Sequence, residues 1–482
     1  MMEKYLMLID GEWVESKSGT WEQVINPANE EPFAQVPSAT KEDVDRAVQA
    51  AHRAFKEWSE TSLDERRKLL YKAADIVEKR ANEVARALTR EQGKPLKQAA
   101  EELRNAAHVL RYFAEEIFRV YGEIIPLPQK QYESMVIWQP IGVVAAITPW
   151  NYPVQLLSWK VGAALAAGCT LVAKPPSYTP ISPIMFMECL VEAGIPKGVV
   201  NILTGPGKTV GEALVTHPLV RKVSLTGSTD VGKRVMKLCA DGLKRVTLEL
   251  GGQTPMIVFA DADLDKAVKG AVRRSFRNMG QICNAINRIY VEKKIFDEFV
   301  ERFVEETKKL KIGDPLEEPD VDLGPMCNKE TLEKVIEHIE DAVKKGGKIV
   351  CGGRRPDGEK FKKGYWYEPT IIVNVNHDML IMQEETFGPA KPVMPFETID
   401  QVIEWANSTR YGLAAYVYTN NLNTARIMAR RLEAGNIGIN NVDVATIEAP
   451  YPGWKESGLG CDLGREGLKH YLEVKHIKVF YG

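Results

Sequence analysis

No long apolar run interrupts this sequence. Stretches such as 141–148 and 161–169 are short and broken by glycine or polar residues, so they read as interior strands and helices rather than bilayer spans. The N-terminus, MMEKYLMLIDGEWVES, is interrupted by charge and lacks the apolar core of a secretory leader. An excess of one charge is missing too: 63 Lys and Arg face 65 Asp and Glu, a net charge of -2. With no basic stripe, nucleic acid is not expected as a partner. Cysteine is sparse, with 7 residues at 169, 189, 239, 283, 327, 351 and 461. They form no CxxC pair and no Cys/His cluster at metal-ligand spacing, so neither a disulfide scaffold nor a metal site is expected. Such a set fits a reducing compartment, and a cytoplasmic protein without membrane contact is the expectation. Two nucleotide fingerprints are also lacking. No G-x-G-x-x-G follows a strand, and the P-loop-like run Gly205 to Thr209 has Ile202 where a glycine is required, which argues against a kinase or ATPase.

What is present is core-forming material: 44% hydrophobic and 27% charged residues over 482 positions, enough for several domains. Short strands and turns open the chain, with Asp10-Gly11 a hairpin turn. Amphipathic helical patterns follow at 41–57, 64–92 and 96–118, and residues 120–140 alternate as strands do. Strands at 141–147, 170–174, 199–202, 221–225 and 245–249 then alternate with helical stretches at 154–167, 180–193, 207–215 and 228–240. That alternation predicts a parallel α/β sheet whose ligand crevice lies at the strands' carboxyl ends. A second α/β run begins near Pro255, and the tail from Tyr471 to Phe480 alternates as a strand without an obvious sheet.

Several residues stand where chemistry belongs. Thr226, Gly227 and Ser228, followed by Gly232, open a helix after a strand, and the free N–H groups of such a helix start hold phosphate; an ordinary N-cap reads the same way. Glu249, ahead of Gly251-Gly252, sits at a strand tip as a candidate general base or a turn cap. Cys283 lies between two helical patterns, where helix N–H groups would lower a thiol's pKa and activate it; the plain alternative is a core cysteine. Asn151 and Asn278 are candidate oxyanion donors, or simply turn residues. Lys174 ends a strand before Pro175-Pro176, and Glu385 precedes Phe387 on a constrained loop.

Taken in order, Pro149-Trp150-Asn151-Tyr152-Pro153, Lys174-Pro175, Thr226-Gly227-Ser228, Glu249-Leu250-Gly251-Gly252, Gly280-Gln281-Ile282-Cys283, Glu385-Thr386-Phe387-Gly388-Pro389 and Gly453 to Gly458 resemble the aldehyde dehydrogenase superfamily over essentially the whole chain. The resemblance implies a variant Rossmann cofactor domain (1–118 and 141–250), an α/β catalytic domain (251–450) and a β oligomerisation flap (119–140 and 465–482). It implies Cys283 as nucleophile, Glu249 as general base, and Asn151 with the Cys283 backbone N–H as oxyanion hole. Lys174, Ser177, Trp150, Thr226, Gly227, Ser228, Gly232, Glu385 and Phe387 become the residues around the cofactor. The reaction implied is oxidation of an aldehyde through a thiohemiacetal and a thioester that water hydrolyses. The acylating branch of the superfamily usually lacks a glutamate at this position, so Glu249 implies the hydrolytic branch. A homodimer or homotetramer is expected; a non-catalytic structural protein of the same fold is the different-class alternative, opposed by retention of the full residue set.

Most NAD-preferring members carry a glutamate where this chain has Ser177. A carboxylate there would repel the 2′-phosphate of NADP, so NADP is the expected cofactor, with NAD the poorer one. The chain looks most like the lactaldehyde and glycolaldehyde dehydrogenases, while Phe276-Arg277-Asn278 is similar to succinate-semialdehyde dehydrogenases, in which the matching arginine binds the distal carboxylate. Both groups commonly have arginine where Trp159 stands, and the lactaldehyde group has histidine at Tyr451. Trp159 and Tyr451 therefore predict an aromatic pocket for a small neutral hydroxyaldehyde, with succinate semialdehyde, anchored by Arg277 alone, as the alternative.

Overall fold

The computed structural model describes residues 2–482. Its framework is two sheets joined where the chain passes from Glu249 to Thr254. In the first, the apolar runs Val143–Ile147, Thr170–Lys174, Val200–Ile202, Val220–Thr226 and Arg245–Glu249 lie parallel. Their order makes Val143–Ile147 the central strand, flanked by Thr170–Lys174 on one side and Val220–Thr226 on the other. Chain order reverses there, leaving a crevice at the strands' carboxyl ends. The expected Asp10-Gly11 hairpin adds two antiparallel strands at one edge, and both turn residues have positive φ.

Amphipathic helices cover this sheet. Lys41–Glu60 starts at a capping box between Thr40 and Asp43, and the expected 64–92 helix divides at Arg80 into Leu63–Lys79 and Ala81–Gln92. Helix Pro153–Ala167 is apolar on nearly every side and buried except at Gln155, as a helix between a sheet and a second helical layer must be.

The second sheet has parallel strands Thr370–Val373, Ala390–Phe396, Ile286–Glu292, Thr254–Val258, Ala414–Tyr418 and Asn436–Ile439, with Lys348–Cys351 antiparallel at its edge. The tail strand finds its sheet: Leu472–Phe480 pairs antiparallel with Tyr132–Pro140, and Glu123–Ile124 adds a third strand. The residues just before it, Gly464–Lys469, form a short helix rather than strand. Among the described residues no helix is long and apolar enough to cross a membrane.

Candidate active site

Cys283 lies in the loop between a short 3-10 turn, Arg277–Gly280, and strand Ile286–Glu292. Three consecutive residues, Asn278, Met279 and Gly280, are left-handed, with φ of 49°, 56° and 70°. Two of them carry side chains, a strain of order 1–2 kcal/mol each that the surroundings must hold. Gln281 does so: its side chain donates to Asn278 O at 3.0 Å and accepts from Cys327 N at 2.9 Å. No helix begins at Cys283, contrary to expectation; a strand follows, so no helix terminus is available to lower its pKa. Burial instead pushes the thiol up to about 12, and the nearby carboxylates Glu385 and Glu249 add to this, while a hydrogen bond from Tyr451 opposes it.

Asn151 is held from below. Lys94 and Glu102 form a fully buried pair at 2.6 Å. Lys94 Nζ also donates to Asn151 O at 2.6 Å, and Glu102 accepts from the Val154 and Gln155 N–H groups at the start of helix Pro153–Ala167. The Asn151 amide donates one N–H to Gln281 O at 2.9 Å, which brings it to the Cys283 loop and leaves a second N–H. Asn278, the other oxyanion candidate, spends its amide on Asn151 O and Gln281 O. It braces the site.

Glu249 ends strand Arg245–Glu249 and is 3% exposed. One carboxylate oxygen accepts from Asp462 N at 3.2 Å, and the other has no protein partner. Burial raises its pKa well above the ordinary range, the Asp462 charge adds to that, and Lys160 opposes it. Lys160 and Asp462 are themselves a buried pair at 2.8 Å. Past Glu249 the chain must come close to two loops at once. A Cβ on Gly251 would sit 2.6 Å from Glu385 Oε2, and one on Gly252 2.5 Å from Cys283 O. Glycine here lets Gly252 N donate to Glu385 at 2.9 Å. Ser457, in the Gly453 to Gly458 block, clasps the turn by accepting from Leu250 N at 2.8 Å and donating to Gly251 O at 2.7 Å.

The residues expected around the cofactor gather around the crevice. Ser228 is the exposed N-cap of helix Thr229–Ala240, Gly227 N donates to Glu249 O at 3.0 Å, and the buried Thr226 hydroxyl lacks a protein partner. Gly232 has a packing role: a Cβ there would meet Leu250 at 2.5 Å, so its glycine lets this helix lie on the strand-end turn. Lys174 ends its strand buried, its amine donating to Pro175 O at 2.9 Å and its pKa lowered by burial to about 8. Ser177 is exposed beyond it. Glu385 is drawn up to about 7 by burial, against the Gly252 N–H and Lys334. Phe387, at φ 54°, presents its ring edge-on to Trp150 at 5.4 Å. A helix N-terminus with an unpartnered hydroxyl, and a carboxylate set by a glycine turn, fit a pyridine dinucleotide.

A cavity of about 250 Å³ opens onto Cys283 and is walled by Trp159, Tyr451, Arg277 and Arg274 among others. Trp159 and Tyr451 meet edge-to-face at 5.6 Å, so both line the cavity rather than pack outside it. Arg277 pairs with Glu101 at 2.8 Å. Arg274 donates to Val442 O at 2.7 Å, Asn284 Oδ1 at 3.3 Å and Asp443 at 2.8 Å. Arg274, Lys160 and Asp462 were not among the sequence candidates. Arg274 stands three residues before Arg277, the spacing that shares a helix face, and that signal was readable. The Lys160–Asp462 pair, 302 positions apart, left none.

Fold and site together bring a thiol, a buried carboxylate and an amide donor to a crevice of the dinucleotide-binding kind. The model of the aldehyde dehydrogenase family matches residues 13–477, and the chain belongs to that family. It is 43% identical over 470 residues to a succinate-semialdehyde dehydrogenase [NADP(+)] of Escherichia coli (strain K12), covering 98% of this chain and 96% of that one. It is also 43% identical over 474 residues to a 3-sulfolactaldehyde dehydrogenase of Pseudomonas putida, covering 98% and 96%. Among solved structures, a Staphylococcus aureus betaine aldehyde dehydrogenase in complex with NAD+ superposes with a TM-score of 0.96 at 39% identity, covering 99% of this chain and 95% of that one. The protein is thus an NAD(P)-dependent enzyme oxidising aldehydes to acids. The expected kinship with lactaldehyde and glycolaldehyde dehydrogenases gives way, because the relatives' names run instead to semialdehydes, sulfolactaldehyde and betaine aldehyde.

Proposed function

We propose that this enzyme oxidises a small aldehyde with an anionic tail, of the succinate-semialdehyde class, to the carboxylate. The carrying observation is the charge of the cavity wall. Arg274 and Arg277 both line it, and neither has a carboxylate to itself in the interior: Asp443, the partner of Arg274, is shared with Arg273 outside the lining, and Glu101, the partner of Arg277, is 45% exposed. The neutral hydroxyaldehyde expected from Trp159 and Tyr451 uses none of that charge, and the semialdehyde name of the Escherichia coli relative supports the anionic reading. Comparing kcat/KM for succinate semialdehyde with that for butanal and glyceraldehyde tests it. A preference of about tenfold or more for the anion is expected, from charge-assisted hydrogen bonds worth about 1.5–3 kcal/mol; equal rates would refute it.

In the proposed mechanism Cys283 loses its proton toward Glu249 and its sulfur adds to the aldehyde carbon. The second Asn151 N–H and the Cys283 backbone N–H receive the oxygen as it gains charge. Bound NAD(P) supplies the hydride acceptor that lets the thiohemiacetal become a thioester. Ser228, Lys174 and Glu385 hold it, with Trp150 and Phe387 beside it. Glu249 passes the thiol proton to solvent and, ionised again, takes a proton from water, whose oxygen adds to the thioester carbon; the C–S bond breaks, Cys283 leaves as the thiolate and the acid departs. The unpartnered oxygen of Glu249 suits this hydrolytic release. Cys283 and Glu249 must both deprotonate and both are raised, so kcat/KM rises with pH and goes on rising into the alkaline range.

NADP is the proposed preferred cofactor because Ser177 places no carboxylate where the 2′-phosphate would lie. Copies are proposed to assemble as a dimer or tetramer through the three-stranded sheet, which leaves Ile124, Val474 and Phe480 exposed at 76%, 58% and 59%.

A further inference from the structure

Every group facing the Cys283 sulfur has an assignment except one. Glu249, from the end of Arg245–Glu249, and Glu385, from its loop, both oppose a negative sulfur. Arg274, from helix Leu264–Phe276, favours it but spends its N–H groups on Val442 O, Asn284 and Asp443. Tyr416, from strand Ala414–Tyr418, donates its hydroxyl to Asn284 O at 2.8 Å. The Tyr451 hydroxyl is left, 4.0 Å from Cys283 Sγ. Among the described residues the thiol is its sole hydrogen-bonding partner. The ring is fixed on two sides: Trp159 packs edge-on, and the Tyr451 backbone pairs with Asp462, whose own N–H holds Glu249.

We propose that Tyr451 is a further catalytic residue, whose phenolic O–H donates to the Cys283 sulfur once the thiol has lost its proton and so holds the thiolate ready to attack. Negative charge on the acceptor shortens and strengthens such a contact. No proton moves to or from the phenol. The thiol proton leaves toward Glu249, Tyr451 keeps its own, and the hydrogen bond weakens as the S–C bond forms. Burial raises the Tyr451 hydroxyl well above its ordinary range, which keeps it a donor. A ring without a hydroxyl would pack equally well on Trp159; the hydroxyl's one hydrogen-bonding partner among the described residues is the sulfur.

The inference rests on Cys283 being the nucleophile, and its test separates the two. Alkylation of Cys283 in the full-length enzyme is followed by peptide mass spectrometry from about pH 7 to about pH 10, with iodoacetamide and with the bulkier N-ethylmaleimide. Tyr451→Phe is expected to slow alkylation about tenfold at each pH, equally for both reagents, as the loss of one charge-assisted hydrogen bond requires. Tyr451→His, which keeps a ring donor, is expected to restore the rate. An unchanged rate in Tyr451→Phe, a slowing that depends on reagent size, or a slowing shared by Tyr451→His would overturn the proposal. If Tyr451→Phe does not fold, Tyr451→His against wild type decides: alkylation as fast as wild type supports the donor, and slower alkylation overturns it. Turnover retained by Cys283→Ala would remove the nucleophile and this inference together. An inactive Cys283→Ala with unslowed Tyr451→Phe would remove the Tyr451 role alone.

Discussion

At the floor of the site, Asn151 and the Cys283 loop, which line the cavity, and Glu249, which lies behind its lining, are held through backbone groups: Asn151 by Lys94 and Gln281 O, Glu249 by Asp462 N, the loop by Gly252 and Cys327 N. On the wall, Trp159 and Arg277 are held by other side chains, Tyr451 by the Trp159 ring as well as its backbone pairing with Asp462, and Glu101, the partner of Arg277, is 45% exposed. The floor brings both sheets and the helical layer to one point, so few changes there leave its geometry intact. The wall can change its aromatic or charged members without moving the floor. The groups proposed for the chemistry are thus set mainly through backbone and those proposed for substrate choice through side chains, with Tyr451 belonging to both.

The largest expected effect is on the floor. Cys283→Ala should lower turnover by about three orders of magnitude or more in a steady-state assay of nicotinamide reduction. Glu249→Gln should cost about two to four orders of magnitude in the same assay, yet keep a single-turnover burst, slower than in the wild type because the thiol proton must pass to water, and stalled after it because hydrolysis fails. On the wall, Arg277→Met and Arg274→Met should each lower kcat/KM for succinate semialdehyde about tenfold to a hundredfold, with butanal little changed. If Arg274→Met slows both aldehydes alike, Arg274 braces Asn284 rather than reading the anion, and the contrast between floor and wall blurs at that residue. The smallest effect is expected at exposed Ser177. Ser177→Glu should shift the ratio of kcat/KM values from NADP toward NAD about fivefold to tenfold through charge repulsion close to solvent.

The parallel strands were legible because continuous apolar runs between helical spacings admit few other arrangements; Thr170–Lys174 and Arg245–Glu249 lie where the pattern places them. Candidates from separate segments gather at one crevice, and Trp159 with Tyr451 lines its cavity. What local pattern did not carry was pairing over distance. Lys160 reads as one polar residue in an apolar helix until Asp462 meets it, and the Arg273-Arg274 pair reads as a solvated face until Asp443 folds over it. The direction of the Cys283 shift was misread for a related reason. It depends first on burial and then on carboxylates from two distant strand and loop ends, and a strand rather than a helix follows the loop.

The most direct test of the account is to mix the Glu249→Gln enzyme with succinate semialdehyde and NADP and digest it for mass spectrometry. The account predicts a succinyl thioester accumulating on the peptide that carries Cys283. No adduct despite nicotinamide reduction, or an adduct on another cysteine, would contradict it.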